Sequence, residues 1–394
     1  MIDANTIKSL LKGVDVEYKN LGEITRYEQP TKYLVDSTDY NDDFKTPVLT
    51  AGKTFILGYT NEIAGIYKAR NNPVIIFDDF TTAHKWVNFD FKVKSTAMKI
   101  ILSADEKKYH LKFVYYWLNT LPTEKSDNDH KRQWISNYTN KTIPIPSYPI
   151  QNKIVNILDK FTALTTELTT ELTTELNARL KQYNYYRDKL LSFAEDEVEW
   201  KTLDEVFYLK NGYTPSKSEP KFWHNGNIPW FRMEDIRKNG MILNDSLQKI
   251  NKVAIKGGKL FPANSIIIAT SATIGEHALI TVPYLSNQRF TNLNLKEEYK
   301  NKYDIRFVFY YCFKLSDWCK NNITLSSFAS VDMNGFKKFK FPILPLSKQK
   351  QIVEILDKFD ALTNSITEGL PREIELRQKQ YEYYRNLLLD FPKS

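Results

Sequence analysis

Residue types that can read the edges of nucleic-acid bases gather in two sets of loops of this 394-residue chain. Arg and Lys suit guanine, Asn and Gln suit adenine, and hydroxyl or amide groups anchor phosphates. The first set comprises Thr50, Gly52, Lys53, Thr54, Asp78, Thr81, Thr82, Lys85 and Trp86, then Lys131 and Arg132. The second comprises Thr214, Ser216, Lys217, Trp230, Arg232, Asp235, Thr270, Ser271, Thr273, Asn287, Gln288 and Arg289. For any one of these residues a solvated loop side chain or a turn cap is the competing explanation. Loops rich in Arg, Asn and hydroxyl groups in both stretches are needed by a sequence reader and not by a protein adaptor.

Bond-making chemistry has no comparable footing. The chain contains no glycine-rich methyltransferase loop, no Asn/Asp-Pro-Pro-aromatic motif and no GxxxxGK[ST] nucleotide loop. Its five histidines, His84, His110, His130, His224 and His277, have no metal-ligand spacing among themselves or with the cysteines. Asp42/Asp43 and Asp78/Asp79 could hold a divalent cation, but adjacent acids in loops are common; Glu195, Asp196 and Glu197 read as a solvated linker. The expectation is a protein that binds and does not catalyse, with no metal and no cofactor of its own.

Length suggests two or three compact units. Hydrophobic residues at 42% and aromatics at 14%, with no apolar run of about twenty residues, fit a folded chain without a membrane span. The N-terminal MIDANTIKSLLKG lacks the features of a secretory signal, so a cytoplasmic location is expected. The formal charge of +8 is compatible with a polyanionic partner. Cys312 and Cys319, seven apart in a helical pattern, are expected as buried reduced thiols on one face.

The elements that must position the loops are announced by an internal repeat. IVNILDKF at 154–161 recurs as IVEILDKF at 352–359, and KQYNYYRDKLLSF at 181–193 recurs as KQYEYYRNLLLDF at 379–391, both displaced by 198 positions. VEYKNLGEI at 16–24 and VEWKTLDEV at 198–206 are related by 182. The unit is therefore one variable segment followed by one constant segment. Within 151–193, Ile154, Ile157, Leu158, Phe161, Leu164, Leu168, Leu172, Leu176 and Leu180 recur every three or four residues without Gly or Pro. That predicts a helix of about forty residues, ~60 Å long. The second copy keeps Ile366, Leu370 and Ile374 in matching places, while Gly369 and Pro371 should bend or interrupt it. Two amphipathic helices of matched length are expected to pair, antiparallel. TIKSLLK at 6–12 precedes VEYK as the end of the long helix precedes VEWK, so it reads as a stub of a missing helix that should lie near the C-terminal one.

The first constant segment also carries three copies of Thr-Thr-Glu-Leu, at 165–168, 169–172 and 173–176. Each four-residue unit is worth ~6 Å and about 40° of helix, between one and two base pairs of B-DNA. Each constant segment ends in a tyrosine-rich basic cluster, Lys181, Tyr183, Tyr185, Tyr186 and Arg187, then Lys379, Tyr381, Tyr383, Tyr384 and Arg385. Such residues favour interfaces, and their retention in both copies points to a partner that binds twice; packing on the adjacent domain is the alternative.

The variable segments read as short strands joined by turns and followed by one helix each. In the first these are PVLTAG, TFILGY, PVIIFDDF, WVNFDFKV and MKIIL, then Leu111–Leu121; in the second IPWFR, NSIIIAT and HALITV, then Asp304–Lys320. The expected fold is α+β, with two similar domains separated by the two long helices and an internal pseudo-two-fold repeat. Proline-bearing stretches place the boundaries at 1–150, 151–194, 195–345 and 346–394.

These features together resemble the specificity subunits of type I restriction-modification systems over essentially the whole chain. The duplicated IV.ILDKF and KQY.YYR..LL.F segments and the tetrapeptide repeats carry the resemblance, and the repeats bring it closest to the type IC group, whose units read Thr-Ala-Glu-Leu where this chain has Thr at the second position. PVLTAGKTFILGYTNE (47–62), PVIIFDDFTTAHKWVNFDFKVKS (73–95), DHKRQWISNY (129–138), GYTPS (212–216), IPWFR (228–232), TSATIG (270–275) and SNQRF (286–290) match as well. The resemblance implies two target-recognition domains, each reading half of a split asymmetric DNA site. The helices would set the unread gap and dock two modification subunits, with restriction subunits attaching through them. S-adenosylmethionine, ATP and magnesium would sit on those partners. A two-domain protein adaptor that never touches DNA is the rival reading, and a stand-alone DNA-modifying enzyme a third, which the missing motifs oppose.

Overall fold

The computed structural model describes residues 4–51, 54–122, 132–325, 329–365 and 368–391. The chain folds as two compact units, Met1–Leu168 with Arg377–Ser394, and Thr169–Leu376. Each unit therefore combines one α+β domain with helical segments from both constant stretches.

In the first unit an antiparallel sheet runs in the order Thr25–Glu28, Met98–Ser103, Val74–Asp78, His84–Val87. Its two middle strands are buried along their whole length. Alternation of side chains across the pleat explains how both faces are used. Ile75, Phe77 and Ile101 face the helix Leu111–Leu118 through Phe113, Val114 and Trp117. Val74, Ile76, Ile100 and Leu102 face the opposite way, onto Leu49, Phe91 and Val93, where a smaller sheet of Ile56–Thr60, Thr46–Leu49 and Lys92–Val93 covers them. Each such aliphatic side chain contributes about 1.5–3 kcal/mol by leaving water.

The second unit repeats this plan on a larger scale. Its five-stranded sheet runs Phe207–Asn211, Phe290–Leu295, Ser265–Ala269, His277–Ile280, Ile242–Leu243. Ile266, Ile268, Leu279 and Leu293 pack on the helix Ile305–Asn321, while Ile267, Ala278 and Ile280 pack toward Trp230, Phe231 and Tyr284. Cys312 and Cys319 are buried free thiols on that helix. Burial pushes both thiols up, Cys319 to about 12.

An entry strand and an exit strand close each domain: Val16–Asn20 pairs with Thr142–Pro146, and Glu199–Thr202 with Lys340–Ile343, both antiparallel. Directly after each exit strand the chain turns into helix. The central helix spans Tyr148–Leu190, 43 residues. The second copy is interrupted, as Gly369 and Pro371 led one to expect: a penultimate helix, Leu346–Thr363, stops, and a C-terminal helix runs from Gly369 to Leu389. Gly369 sits at φ +80°, and a Cβ there would lie 2.4 Å from the carbonyl oxygen of Ala361, so glycine is required. Ile366 falls outside the described residues.

Equivalent side chains anchor the helices in both units. Ile154, Val155 and Leu158 of the central helix join the first core with Leu388, Leu389 and Phe391. Ile352, Val353 and Leu356, 198 positions on, join the second core with Leu191 and, at its edge, Phe193. The N-terminal helix Ala4–Leu11 buries Ile7 and Leu11 in the same cluster as Leu388. It fills the place expected of a helix stub beside the C-terminal helix.

Candidate nucleic-acid interface

In the second domain a cleft of about 670 Å³ gathers Thr214, Lys217, Trp230, Arg232, Asn287, Gln288 and Arg289, together with Trp223, Glu234 and Gln248. Seven of the twelve sequence candidates in this domain thus converge from three separate segments, two loops and the end of the strand Ile228–Phe231. The floor is Trp230, 3% exposed, whose indole N–H donates to the Tyr213 carbonyl (3.0 Å) and whose ring meets Trp223 edge-on at 5.1 Å. Arg232 lies with its guanidinium 5.5 Å from the Trp230 ring centre, an arrangement that orients a planar cation. Its Nε is buried without a hydrogen bond and lies 3.9 Å from Glu234 Oε2. At the mouth, the Thr214 hydroxyl donates to Gln288 Oε1, which fixes the amide with its NH₂ directed elsewhere. Lys217, Gln288 and Arg289 are exposed.

The remaining candidates in this domain serve the frame. Asp235 is fully buried; one oxygen accepts from Arg232 N (2.7 Å) and the other from Leu247 N (2.6 Å). Its burial keeps it from a ligand, and it instead pins the backbone that presents Arg232. Thr270 is 7% exposed and shares a hydrogen bond with Thr291 (3.0 Å). Ser271 bridges to Ser330, and the Thr273 hydroxyl is buried without a partner. Ser216 pairs with Ser218 at 2.7 Å.

The first domain presents its candidates differently. Gly52, Lys53 and Lys131 lie outside the described residues. Thr50 is tied by its N–H to the Phe55 carbonyl (3.0 Å), and Thr54 is exposed. Asp78 is 5% exposed and builds the turn that follows its strand: Oδ1 accepts from Phe80 N (3.0 Å) and Oδ2 from the Thr81 hydroxyl (2.5 Å). Thr82, 7% exposed, takes φ +61°, an uncommon conformation for a β-branched residue. Trp86 packs against Tyr115 (6.1 Å) beneath the Lys112 ammonium (5.5 Å), so it belongs to the core edge. Thr81, Lys85 and Arg132 remain exposed. Sequence reasoning missed a cleft of about 370 Å³ where Lys45, Lys68 and Arg70 meet Tyr59 and Phe89; the close spacing of Tyr67, Lys68 and Arg70 was the available signal.

The tyrosine-rich helix ends divide between packing and surface. Tyr183 is 3% exposed, and Arg187 lies over the Phe313 ring at 4.5 Å. Tyr381 shares a hydrogen bond with Thr162 (3.0 Å), Tyr384 meets Phe161 at 5.7 Å, and Arg385 lies 5.9 Å over Tyr381. Packing within the unit therefore explains Tyr183, Arg187, Tyr381, Tyr384 and Arg385, while Lys181, Tyr185, Lys379 and Tyr383 stay exposed and Tyr186, at the surface, stacks on Phe359 at 5.6 Å. In the second unit Tyr186, Leu190, Phe193, Ile352, Ile355 and Phe359 line an apolar cleft of about 600 Å³.

Among the described residues no group of three or more His, Cys, Asp or Glu side chains could hold a metal ion, and no helix is long and apolar enough to cross a membrane. A duplicated α+β domain mounted on long helices, with polar cation-lined clefts, defines a class of paired recognition proteins. Residues 13–178 and 195–376 both match the type I restriction modification DNA specificity domain. The chain is 55% identical over 406 residues to the type I restriction enzyme EcoR124I/EcoR124II specificity subunit of Escherichia coli, covering 100% of this chain and 98% of that one. It is 61% identical over 216 residues to the EcoprrI specificity subunit of the same species, 53% of each chain. A solved structure described as the basis of complex assembly and conformational transition of the type I R-M system shares the fold, with TM-score 0.60 at 16% identity over 96% of this chain and 98% of that one. The chain belongs to the specificity-subunit family of type I restriction-modification systems.

Proposed function

We propose that this chain reads DNA for a type I restriction-modification complex, each α+β domain recognising one half of a split target while the helices set the gap between the halves. The convergence of seven candidate residues on the Trp230–Arg232 cleft carries this reading. Arg232 and Gln288 are held in place by neighbours, as base-reading groups must be, whereas Lys217 and Arg289 are exposed cations suited to phosphates. Family membership supports the assembly: two modification subunits dock on the helical framework, with the exposed tyrosines and the apolar cleft around Ile355 and Phe359 as the contact surface. Restriction subunits attach through them. S-adenosylmethionine, ATP and magnesium belong to those partners, and the complex works in the cytoplasm.

Replacing Arg232 by Ala tests the cleft. In complex with its modification subunits, the Arg232→Ala variant is expected to lose about 5- to 150-fold in affinity for the specific duplex, the equivalent of ~1–3 kcal/mol for one base contact. Affinity for a duplex with the second half-site scrambled should be nearly unchanged. Equal losses on both duplexes would place Arg232 on the phosphates, and no loss on either would remove the cleft from the interface.

A further inference from the structure

The same buried joint fastens each α+β domain to its helix. Gln151 is 1% exposed; its Oε1 accepts from His110 N (2.9 Å), and its NH₂ donates to the carbonyls of Lys108 (3.0 Å) and Pro146 (2.8 Å). Gln349, 0% exposed and 198 positions later, does the same with Asp304 N (2.8 Å), Lys302 (2.7 Å) and Leu344 (2.8 Å). Two turns further along each helix an aspartate completes the fastening. Asp159 accepts from Lys112 (2.8 Å) and the Tyr116 hydroxyl (2.5 Å). Asp357 accepts from Arg306 and the Tyr310 hydroxyl (2.5 Å).

Within each unit, then, one glutamine ties the first turn of the scaffold helix to the exit strand and to the start of the domain's own helix. One aspartate ties the next part of the scaffold to that same domain helix. Two attachment points separated along a helix fix an angle as well as a position. Removing one leaves the apolar anchors between them, Ile154, Val155 and Leu158 or Ile352, Val353 and Leu356, to hold the position while the angle loosens. A domain that can hinge tolerates half-sites displaced by a base pair, ~3.4 Å and about 34–36°, because the misfit is taken up at the joint and not by deforming DNA.

We propose that Gln151 with Asp159, and Gln349 with Asp357, are positioning residues that enforce the gap length between the two half-sites without contacting DNA. This rests on the DNA-reading function proposed above. The test is made with the full chain and its cognate modification subunit, on Gln349→Ala and on the milder double variant Arg306→Gln, Tyr310→Phe, which leaves the buried glutamine intact should the first variant fail to fold. Genome-wide adenine methylation is expected to retain both half-site sequences. The share of methylation at gaps one base pair longer or shorter than the wild-type gap should rise about tenfold, as losing the charge-assisted contacts of Asp357, or the three hydrogen bonds of Gln349, allows. An unchanged off-gap share with lower total methylation, or an altered half-site sequence, would overturn the proposal. A readout without DNA separates it from failure of the reading itself. Spin labels on Lys238→Cys and Glu354→Cys, both exposed in the second unit, should show a broader distance distribution in either variant than in the wild-type background. An equally narrow distribution overturns the joint even if the wild-type chain directs no split motif.

Discussion

Deletion of one Thr-Thr-Glu-Leu unit, Thr169–Leu172, is expected to move methylation to a gap shorter by one to two base pairs and to lower it about tenfold or more at the original gap. All three units lie in the uninterrupted helix Tyr148–Leu190, so four residues change its length by ~6 Å and its phase by about 40°. The leucines at 168, 172 and 176 are half-buried while the neighbouring glutamates are exposed, and removal of a whole unit keeps that leucine row in register. Deleting two residues would instead turn the row by about 200° and should abolish function without producing a new gap. Methylome sequencing of cells expressing each deletion with the modification subunit distinguishes the outcomes. An unchanged gap after the four-residue deletion would show that the helix does not set the spacing.

Asp235→Ala is expected to have a larger effect than replacing any of the residues that line the cleft. Two backbone N–H groups, those of Arg232 and Leu247, lose the carboxylate that accepts from them in a site with no solvent exposure. Hydrogen bonds to a charged group contribute about 1.5–3 kcal/mol each, so the loss is ~3–6 kcal/mol and the second unit should melt roughly 10 °C lower. Amide exchange at Arg232 and Leu247 should accelerate, and the second half-site should cease to be read, while amides of the first domain keep their protection. Asp235→Asn retains one acceptor and should fall between the two. Wild-type exchange at both amides in the Ala variant would contradict the role given to Asp235.

Much of this architecture was legible in the sequence because its signals are periodic or repeated. The 198-residue displacement identified both constant stretches, and the strands buried on both faces announced themselves as continuous apolar runs such as VIIF at 74–77. Gly369 and Pro371 marked the interruption of the second long helix. The site was legible only by residue type. Nothing local distinguishes Asp235, consumed by two backbone groups, from Arg232 three residues earlier, which faces the cleft. Tyr183 and Tyr186 look alike in sequence, yet one is core and the other surface, because only the packing of the second unit chooses between faces of the helix. The joints escaped notice for a different reason. Lys112, Tyr116, Arg306 and Tyr310 lie 43 to 51 residues from the aspartates they meet, a separation no pattern reports. Gln151 and Asp159 did carry a signal, being retained in the second copy as Gln349 and Asp357, with Lys160 retained beside them as Lys358.

The measurement to make first is genome-wide adenine methylation in a host expressing this chain with its cognate modification subunit, compared with a host expressing the modification subunit alone. A split, asymmetric motif with one fixed gap, present only when this chain is present, is the expected result. An assembled complex that methylates no motif, or the same motif without this chain, would contradict DNA reading and leave a protein adaptor in its place.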